Sequence, residues 1–257
     1  MQAMQGIQVF EQVLILIVLI TAFVALGYAY WLARQIFSAD KGSQLMQRVW
    51  GFVKDGANAY LRTQLRTIAI LIVVLTVAMF LSVALVRPTG EANERFCPTE
   101  VEAAYAANIV ANAPGGLAEA DVLAVLEART ATPKQVALNY GYADFRPDRV
   151  AAAVECQSAV IGIAIGRALA FAMGATFSAT VGFLGMNMAV QGNVRVAAAS
   201  RVNFKRALTI AYRSGTITGM LTDGLGLLGG TMIFIIFGTA SPDVLLGFGF
   251  GGTLLAL

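Results

Sequence analysis

The sequence predicts an all-α polytopic membrane protein, with about five transmembrane helices and a helical insertion on the extracytoplasmic side. Apolar residues make up 58% of the 257 residues and charged residues only 13%, whereas a soluble domain has roughly 25% charged residues. The charges are also segregated, so that long stretches contain none. Basic residues gather in two connections and acidic residues in a third, which predicts how the chain is oriented.

Five hydrophobic segments are predicted to enter the bilayer, whose hydrocarbon core of roughly 30 Å needs about 20 apolar residues. They cover residues 13–33, 67–86, 168–190, 214–237 and a fifth stretch from Pro242 onward. The first is too long for the apolar part of a signal peptide and has no basic region before it. The fifth has 16 residues, which reach about 24 Å. Two interpretations stay open from this length: the segment ends inside the bilayer, or the chain is the front piece of a longer protein.

The connections predict an extracytoplasmic N-terminus in a multi-pass protein of the cell inner (plasma) membrane. The connection between the first two segments contains six basic and two acidic residues. The connection between segments three and four contains five basic residues and no acidic one. Lys and Arg accumulate in short cytoplasmic loops, so both connections are predicted to be cytoplasmic. Residues 41–61 have one apolar face, which predicts an amphipathic helix on the bilayer surface or on the neighbouring helix bases.

The connection over residues 87–155 is long and carries ten acidic residues against six basic ones. Its composition and an apolar spacing near 3.6 predict helices over 99–112 and 117–129, with breaks at 114–116 and at Pro133. The chain is thus divided into residues 1–86, the insertion at 87–156, and residues 157–257. Cys97 and Cys156 lie at the two ends of the insertion, on the side where disulfides persist. One hypothesis is a bridge between them that closes the base of the insertion; the alternative is two free thiols.

Two ionisable residues lie in or beside the membrane segments. Arg167 stands at the outer edge of the third segment, and its long side chain is predicted to reach the lipid headgroups. Asp223 lies within the fourth segment, where a carboxylate costs about 2.5–3.5 kcal/mol. Two roles stay open for Asp223: handling of an ion, or a structural hydrogen bond to a neighbouring helix.

Glycines are arranged for close contact between helices. The sequence matches GxGxxG at 224–229 and 247–252, but a dinucleotide site needs that run between a strand and a helix, so we reject this interpretation. Small residues four apart allow helix backbones to approach closely. Segments three to five are therefore predicted to contact other helices, some of them outside the five. The pairs are Gly162/Gly166, Gly215/Gly219 and Gly226/Gly230.

The residues alone indicate no catalytic, cofactor-binding or metal-binding site. Histidine is absent, which removes the commonest general base and metal ligand. The net charge of +3 comes from basic residues scattered at membrane flanks, which argues against a nucleic-acid partner. Composition and motifs by themselves predict part of a polytopic membrane protein, most simply a transporter.

Several separated stretches nevertheless resemble one family. They are WLARQI at 31–36, GANAYLRTQLRTI at 56–68, 174–195, YRSGTITGM at 212–220 and GFGFGG at 247–252. In this order and spacing they are similar to the N-terminal part of membrane-bound inorganic pyrophosphatases, the pumps that couple pyrophosphate hydrolysis to transport of H⁺ or Na⁺. The resemblance covers most of the chain outside the insertion, which is longer than expected there.

The resemblance implies a homodimer with about sixteen spans per subunit in two concentric rings, the first four spans in the outer ring and the fifth in the inner ring. It implies pyrophosphate and a transported cation as substrates, a lipid bilayer as surroundings and Mg²⁺ as cofactor, and it leaves K⁺ dependence open. In the family, Asp and Lys clusters bind Mg²⁺–pyrophosphate for attack by water. These clusters are expected beyond residue 257, so this chain alone is expected to be inactive. Asp223 is not in the family's catalytic set.

Two alternatives remain at this stage. One is a different secondary transporter or channel subunit that uses Asp223, and the other is a non-enzymatic membrane assembly subunit. Coding DNA beyond Leu257 that continues with an Arg, a Gly-rich run and a Lys/Asp motif would favour the pump, and a stop codon would favour the assembly subunit.

Overall fold

The computed structural model describes residues 9–85, 89–114, 118–128 and 131–254, and every regular element in these ranges is helical. A single 3₁₀ turn, Gly238–Ala240, precedes the last helix. In chain order the helices are α1 (Val9–Ser38), α2 (Gln44–Leu85), α3 (Gly90–Phe96), α4 (Pro98–Asn112), α5 (Glu119–Glu127), α6 (Pro133–Asn139), α7 (Pro147–Ala153), α8 (Gln157–Ser200), α9 (Phe204–Phe237) and α10 (Ser241–Leu254).

The predicted fold class is confirmed, with a small difference in the number of spans. In the described part of the chain, four helices are long and apolar enough to cross a membrane: α1, α2, α8 and α9. The fifth predicted segment forms α10, which has 14 residues and ends at Leu254. Residues 255–257 and the boundary near residues 86–87 lie outside the described residues.

The long helices extend well beyond the predicted hydrophobic segments. The helix α2 has 42 residues and α8 has 44, because hydropathy marks only the part of a helix that suits lipid. The amphipathic helix predicted over 41–61 forms the first part of α2, from Gln44 onward. It contacts a neighbouring helix, one of the two placements predicted for it, because Trp50 Nε1 donates to the Val190 carbonyl of α8 at 3.0 Å.

Helix α8 lies at the centre of the bundle, against α2, α9 and α10, while α1 packs on α9. The crossing of α8 and α10 is a backbone contact made by glycines. A Cβ added at Gly247 would lie 2.3 Å from the Arg167 carbonyl oxygen, and one at Gly251 would lie 2.2 Å from that of Phe171. No side chain fits there, so glycines set the distance between these two helices.

The short helices α3 to α7 form a unit with its own hydrophobic core. The core contains Val101, Tyr105, Ile109, Val122, Leu126, Val136 and Phe145. The predicted helix over 99–112 corresponds to α4 and that over 117–129 to α5, although residues 115–117, 129 and 130 lie outside the described residues. Pro133 starts α6, behind a capping box in which Thr132 and Gln135 bond each other's backbone.

The two basic connections lie at the same end of the bundle. A Cβ added to Gly42, between α1 and α2, would lie 3.0 Å from Ala198 Cβ near the end of α8. The short-helix unit packs at the opposite end, where a Cβ at Gly162 in the second turn of α8 would lie 2.5 Å from the Phe96 ring. The charged connections and the acidic insertion are thus separated by the length of the bundle.

Candidate functional site

The most connected polar group in the bundle is Arg167, on α8. Its residue is 5% exposed, and its Nε donates to the Asp243 backbone carbonyl of α10 at 3.0 Å. Its NH2 lies 3.7 Å from the Asp243 carboxylate, and its NH1 is 3.4 Å from Ser82 Oγ on α2. The interpretation that Arg167 reaches the headgroups was wrong, because the crossing of α8 and α10 holds the guanidinium inside the bundle.

Asp243 links the Arg167 guanidinium to the short-helix unit. Thr89 donates its hydroxyl to Asp243 Oδ2 at 2.8 Å, and the same hydroxyl accepts the Ala92 N–H at the start of α3. The carboxylate of Asp243 on α10 therefore joins Arg167 of α8 to the cap of α3, and α2 is connected to it through the contact of Ser82 with Arg167. Sequence reasoning missed Asp243, although a signal was present: only Asp223 and Asp243 are acidic after Glu155, so a buried Arg167 had few acids with which to pair.

A second buried arginine lies near the other end of α8. Arg195 is 1% exposed; its NH1 donates to the Gln191 carbonyl at 2.7 Å and its NH2 to the Phe37 carbonyl of α1 at 3.3 Å. A cation at the last carbonyls of a helix interacts favourably with the helix dipole. Arg213 of α9 adds a bond from its NH1 to Gln35 Oε1 at 2.7 Å. The two arginines thus attach the C-terminal turns of α1 to α8 and α9.

Asp223 is not brought together with Arg167 or Arg195. It lies on α9, its side chain is exposed in this chain, and the next residue, Gly224, faces α1 instead, where an added Cβ would be 2.8 Å from Leu26. The sequence expectation of a partner on a neighbouring helix therefore finds none among the described residues.

The two cysteines meet at the base of the short-helix unit. The structure joins Cys97, at the end of α3, to Cys156, at the start of α8, with Cα atoms 6.1 Å apart and a sequence separation of 59. Together with Thr89, which bonds Asp243, this fixes one end of α3 to α10 and the other to α8. The formation of this bridge in the cell stays a prediction.

Tyr105 is a buried titratable group of the short-helix unit. Its hydroxyl donates to a Glu94 carboxylate oxygen. Burial raises the pKa of Tyr105 most, and the hydrogen bond and charge of Glu94 add to that rise. Tyr105 is 2% exposed and stacks edge-on against Phe145, so its role is to fix the core of the unit.

The described residues contain no group of three or more His, Cys, Asp or Glu side chains that could hold a metal ion. Mg²⁺ is bound in proteins by carboxylates and carbonyl oxygens, often with the phosphates of a substrate. The side chains described here do not fit such a centre, and we derive no step of hydrolysis from them.

Comparison with known proteins gives the family. The model of the family described as inorganic H⁺ pyrophosphatase matches residues 23–257. A relative named K(+)-insensitive pyrophosphate-energized proton pump, from Chloroflexus aurantiacus, is 44% identical over 254 residues, which are 99% of this chain and 25% of the relative. Relatives of the same name from Streptomyces avermitilis and Caldanaerobacter subterraneus are each 29% identical, over 96% and 94% of this chain.

The chain spans about a quarter of the length of these curated relatives, 23–26% in the three cases. No solved structure matches it. The family match covers well over half of the chain and extends across both the long helices and the short-helix unit. This chain therefore belongs to the family of inorganic H⁺ pyrophosphatases.

Proposed function

We propose that this chain forms the N-terminal part of a membrane pump that couples hydrolysis of pyrophosphate to movement of protons out of the cytoplasm. The observation that carries the proposal is 44% identity to a pyrophosphate-energized proton pump across 99% of this chain. The four helices that suit a bilayer support it. The relatives are named K(+)-insensitive, so we also propose a pump that needs no K⁺.

In this proposal the three parts of the chain have separate roles. The parts 1–86 and 157–257 contribute helices to the membrane bundle, and the part 87–156 caps it on the extracytoplasmic side. The basic connections at one end of the bundle and the acidic unit at the other support this orientation, by the preference of Lys and Arg for the cytoplasm. Mg²⁺ and pyrophosphate would be bound by residues outside this chain, in a homodimer of the complete pump.

The proposal is tested in inverted membrane vesicles that contain the full-length gene product. Addition of pyrophosphate with Mg²⁺ is expected to acidify the vesicle interior, measured by quenching of a pH-sensitive dye, and a protonophore is expected to abolish the signal. The rate is expected to be the same in K⁺ and in K⁺-free buffer. Hydrolysis without acidification, or no hydrolysis at all, would contradict the proposal.

The contribution of this chain is tested with the purified polypeptide of residues 1–257. Because its described side chains form no metal centre, we expect no Mg²⁺-dependent phosphate release from pyrophosphate above a protein-free blank. Release above the blank would show that hydrolytic residues lie within this chain.

A further inference from the structure

One side of α9 is open in this chain, although it is built for close contact. A Cβ added at Gly224 would meet Leu26 of α1, and one at Gly229 would lie 2.6 Å from the Phe248 ring of α10. By contrast, a Cβ at any of four other glycines of α9 would meet nothing within 4 Å. These four are Gly215, Gly219, Gly226 and Gly230.

The four glycines share one stripe, and Asp223 lies on it. At 3.6 residues per turn, Gly215, Gly219, Gly226 and Gly230 fall within about 60° around the helix, and Asp223 lies about 20° beyond Gly230. We call these five residues the open face of α9. The sides of α9 that contact α1 and α8 point elsewhere, as the buried Ile217 and Gly224 indicate.

Lipid is a poor occupant of this face because of Asp223. The carboxylate is exposed in this chain, within a helix that suits a bilayer. An ionised carboxylate against acyl chains costs about 2.5–3.5 kcal/mol, and acyl chains offer no hydrogen-bond donor. Intramembrane carboxylates commonly face a protein partner or a cavity.

A second copy of α9 is also a poor occupant. Glycines four apart often form symmetric helix pairs, but a two-fold pair on this face would bring two Asp223 carboxylates together. Like charges at short distance disfavour ionisation and association. The negative charge of Asp223 therefore favours a partner helix that differs from α9 and carries a positively charged side chain.

We propose that the open face of α9 docks another transmembrane helix of the pump, and that this helix presents an Arg or Lys side chain to Asp223. The inference rests on the proposed function, since relatives about four times as long supply further helices. The glycines let the two backbones approach, and Asp223 selects the partner by charge. Buried Arg167 and Arg195 show that this bundle already holds guanidinium groups between its helices.

The partner is identified by photo-crosslinking in membranes that contain the full-length gene product. Leu227, at the edge of the open face and 38% exposed, is replaced by p-benzoylphenylalanine. Val24 of α1, which is 63% exposed and far from the open face, is replaced in the matched control. After irradiation, mass spectrometry is expected to find Leu227→p-benzoylphenylalanine joined to a transmembrane segment that has Arg or Lys within one turn of the adduct. The control is expected not to reach that segment.

Two substitutions on the open face and one control on α1 sharpen the result. Gly226→Leu fills the face and is expected to lower the yield of that crosslink about tenfold, in line with the cost of overpacking. Gly27→Leu, on α1 where an added Cβ also meets nothing within 4 Å, is expected to leave the yield within about twofold, because it adds apolar volume away from the face. Asp223→Asn keeps the shape and is expected to lower the yield severalfold.

Three results would overturn the inference: adducts with lipid alone, adducts with α9 of a second copy, or a partner segment without a basic residue within two turns. The crosslink is read without reference to hydrolysis. A crosslink to a basic helix in a protein that does not hydrolyse pyrophosphate would leave this interface standing and refute the proposed function instead.

Discussion

The short-helix unit and the long-helix bundle differ in which side chains they leave exposed. In the unit, Val101, Tyr105 and Phe145 are at most 2% exposed, as in a water-soluble domain. In the bundle, Leu16, Val24 and Leu169 are 55%, 63% and 64% exposed, while Arg167 and Arg195 are buried together with apolar residues. The difference fits the surroundings: water drives apolar side chains inward, whereas lipid lets them stay outside and close helix contacts inside can include polar groups.

The two regions also differ in how their helices touch. In the unit, large side chains interdigitate around Tyr105 and Phe145. In the bundle, α8 and α10 meet backbone to backbone at Gly247 and Gly251. Lipid tails are as apolar as Leu, so burial of apolar surface gives no advantage there, and close contact and polar pairs hold the helices together.

The largest effect should come from the polar interior of the bundle. Arg167→Met leaves the Asp243 carboxylate, 14% exposed in its side chain, without its cation. Breaking a buried pair in this way costs about 3–5 kcal/mol, which SDS-induced unfolding in mixed micelles would measure. The double variant Arg167→Met with Asp243→Leu should recover much of the loss. A cost under about 1 kcal/mol for the single variant would contradict an interior held by polar pairs.

The next effect concerns the junction of the two regions. Replacing both Cys97 and Cys156 by Ala should destabilise the short-helix unit by about 2–4 kcal/mol, the usual range for a native disulfide. The long helices should unfold as before. Peptide mapping by mass spectrometry with and without reductant supplies the control, and two free thiols in oxidised membranes would show that the bridge does not form.

A matched pair of substitutions on one helix tests the backbone contact. Gly251→Ala puts a methyl group 2.2 Å from the Phe171 carbonyl oxygen, whereas Gly249→Ala meets nothing within 4 Å. Overpacking costs about 1–3 kcal/mol, so the first variant should unfold at lower SDS than the second. Equal stability of the two variants would show that α10 does not pack on α8 through this face.

The smallest effect belongs to the soluble-like core. Tyr105→Phe removes one hydrogen bond to Glu94, which is exposed enough to be hydrated instead, and should cost about 1 kcal/mol. Since burial raises the pKa of Tyr105 in the folded unit, the unfolded chain releases this proton first, and stability falls as pH rises above about 10. Denaturation of both proteins between pH 8 and 11 should show a shallower fall for Tyr105→Phe. Parallel curves would contradict a protonated, buried Tyr105.

The sequence was sufficient to locate the long helices and α4 and α5, but it did not predict the full lengths of the long helices or the short α3, α6 and α7. Apolar runs locate the part of α2 and α8 that suits lipid, and the 3.6 spacing locates α4 and α5. The amphipathic stretch at 41–61 was predicted, but its continuity with the membrane part of α2 was not, because its charged residues resemble those of a surface helix. The structure shows one continuous helix, whose first part contacts α8 through Trp50.

The polar site was less predictable than the fold. Arg167 and Asp243 are 76 residues apart in sequence, and their pairing depends on a helix crossing that the glycines permit but do not specify. Glycines in the same local pattern therefore have different surroundings. The backbone of α8 lies directly against Gly247, while a Cβ added at Gly226 on the open face of α9 would meet nothing within 4 Å. Local spacing predicts that a helix face carries small residues, and only the packed structure shows which element covers that face.

The unbroken length of α2 has a mechanical consequence. With 42 residues it is about 63 Å long, roughly twice the thickness of a bilayer core. A rod of that length pivoting about its middle by about 10° would swing each tip by about 5 Å, in opposite directions. A tilt of α2 at the end that carries Trp50 would therefore also move the opposite end, where Ser82 lies beside Arg167.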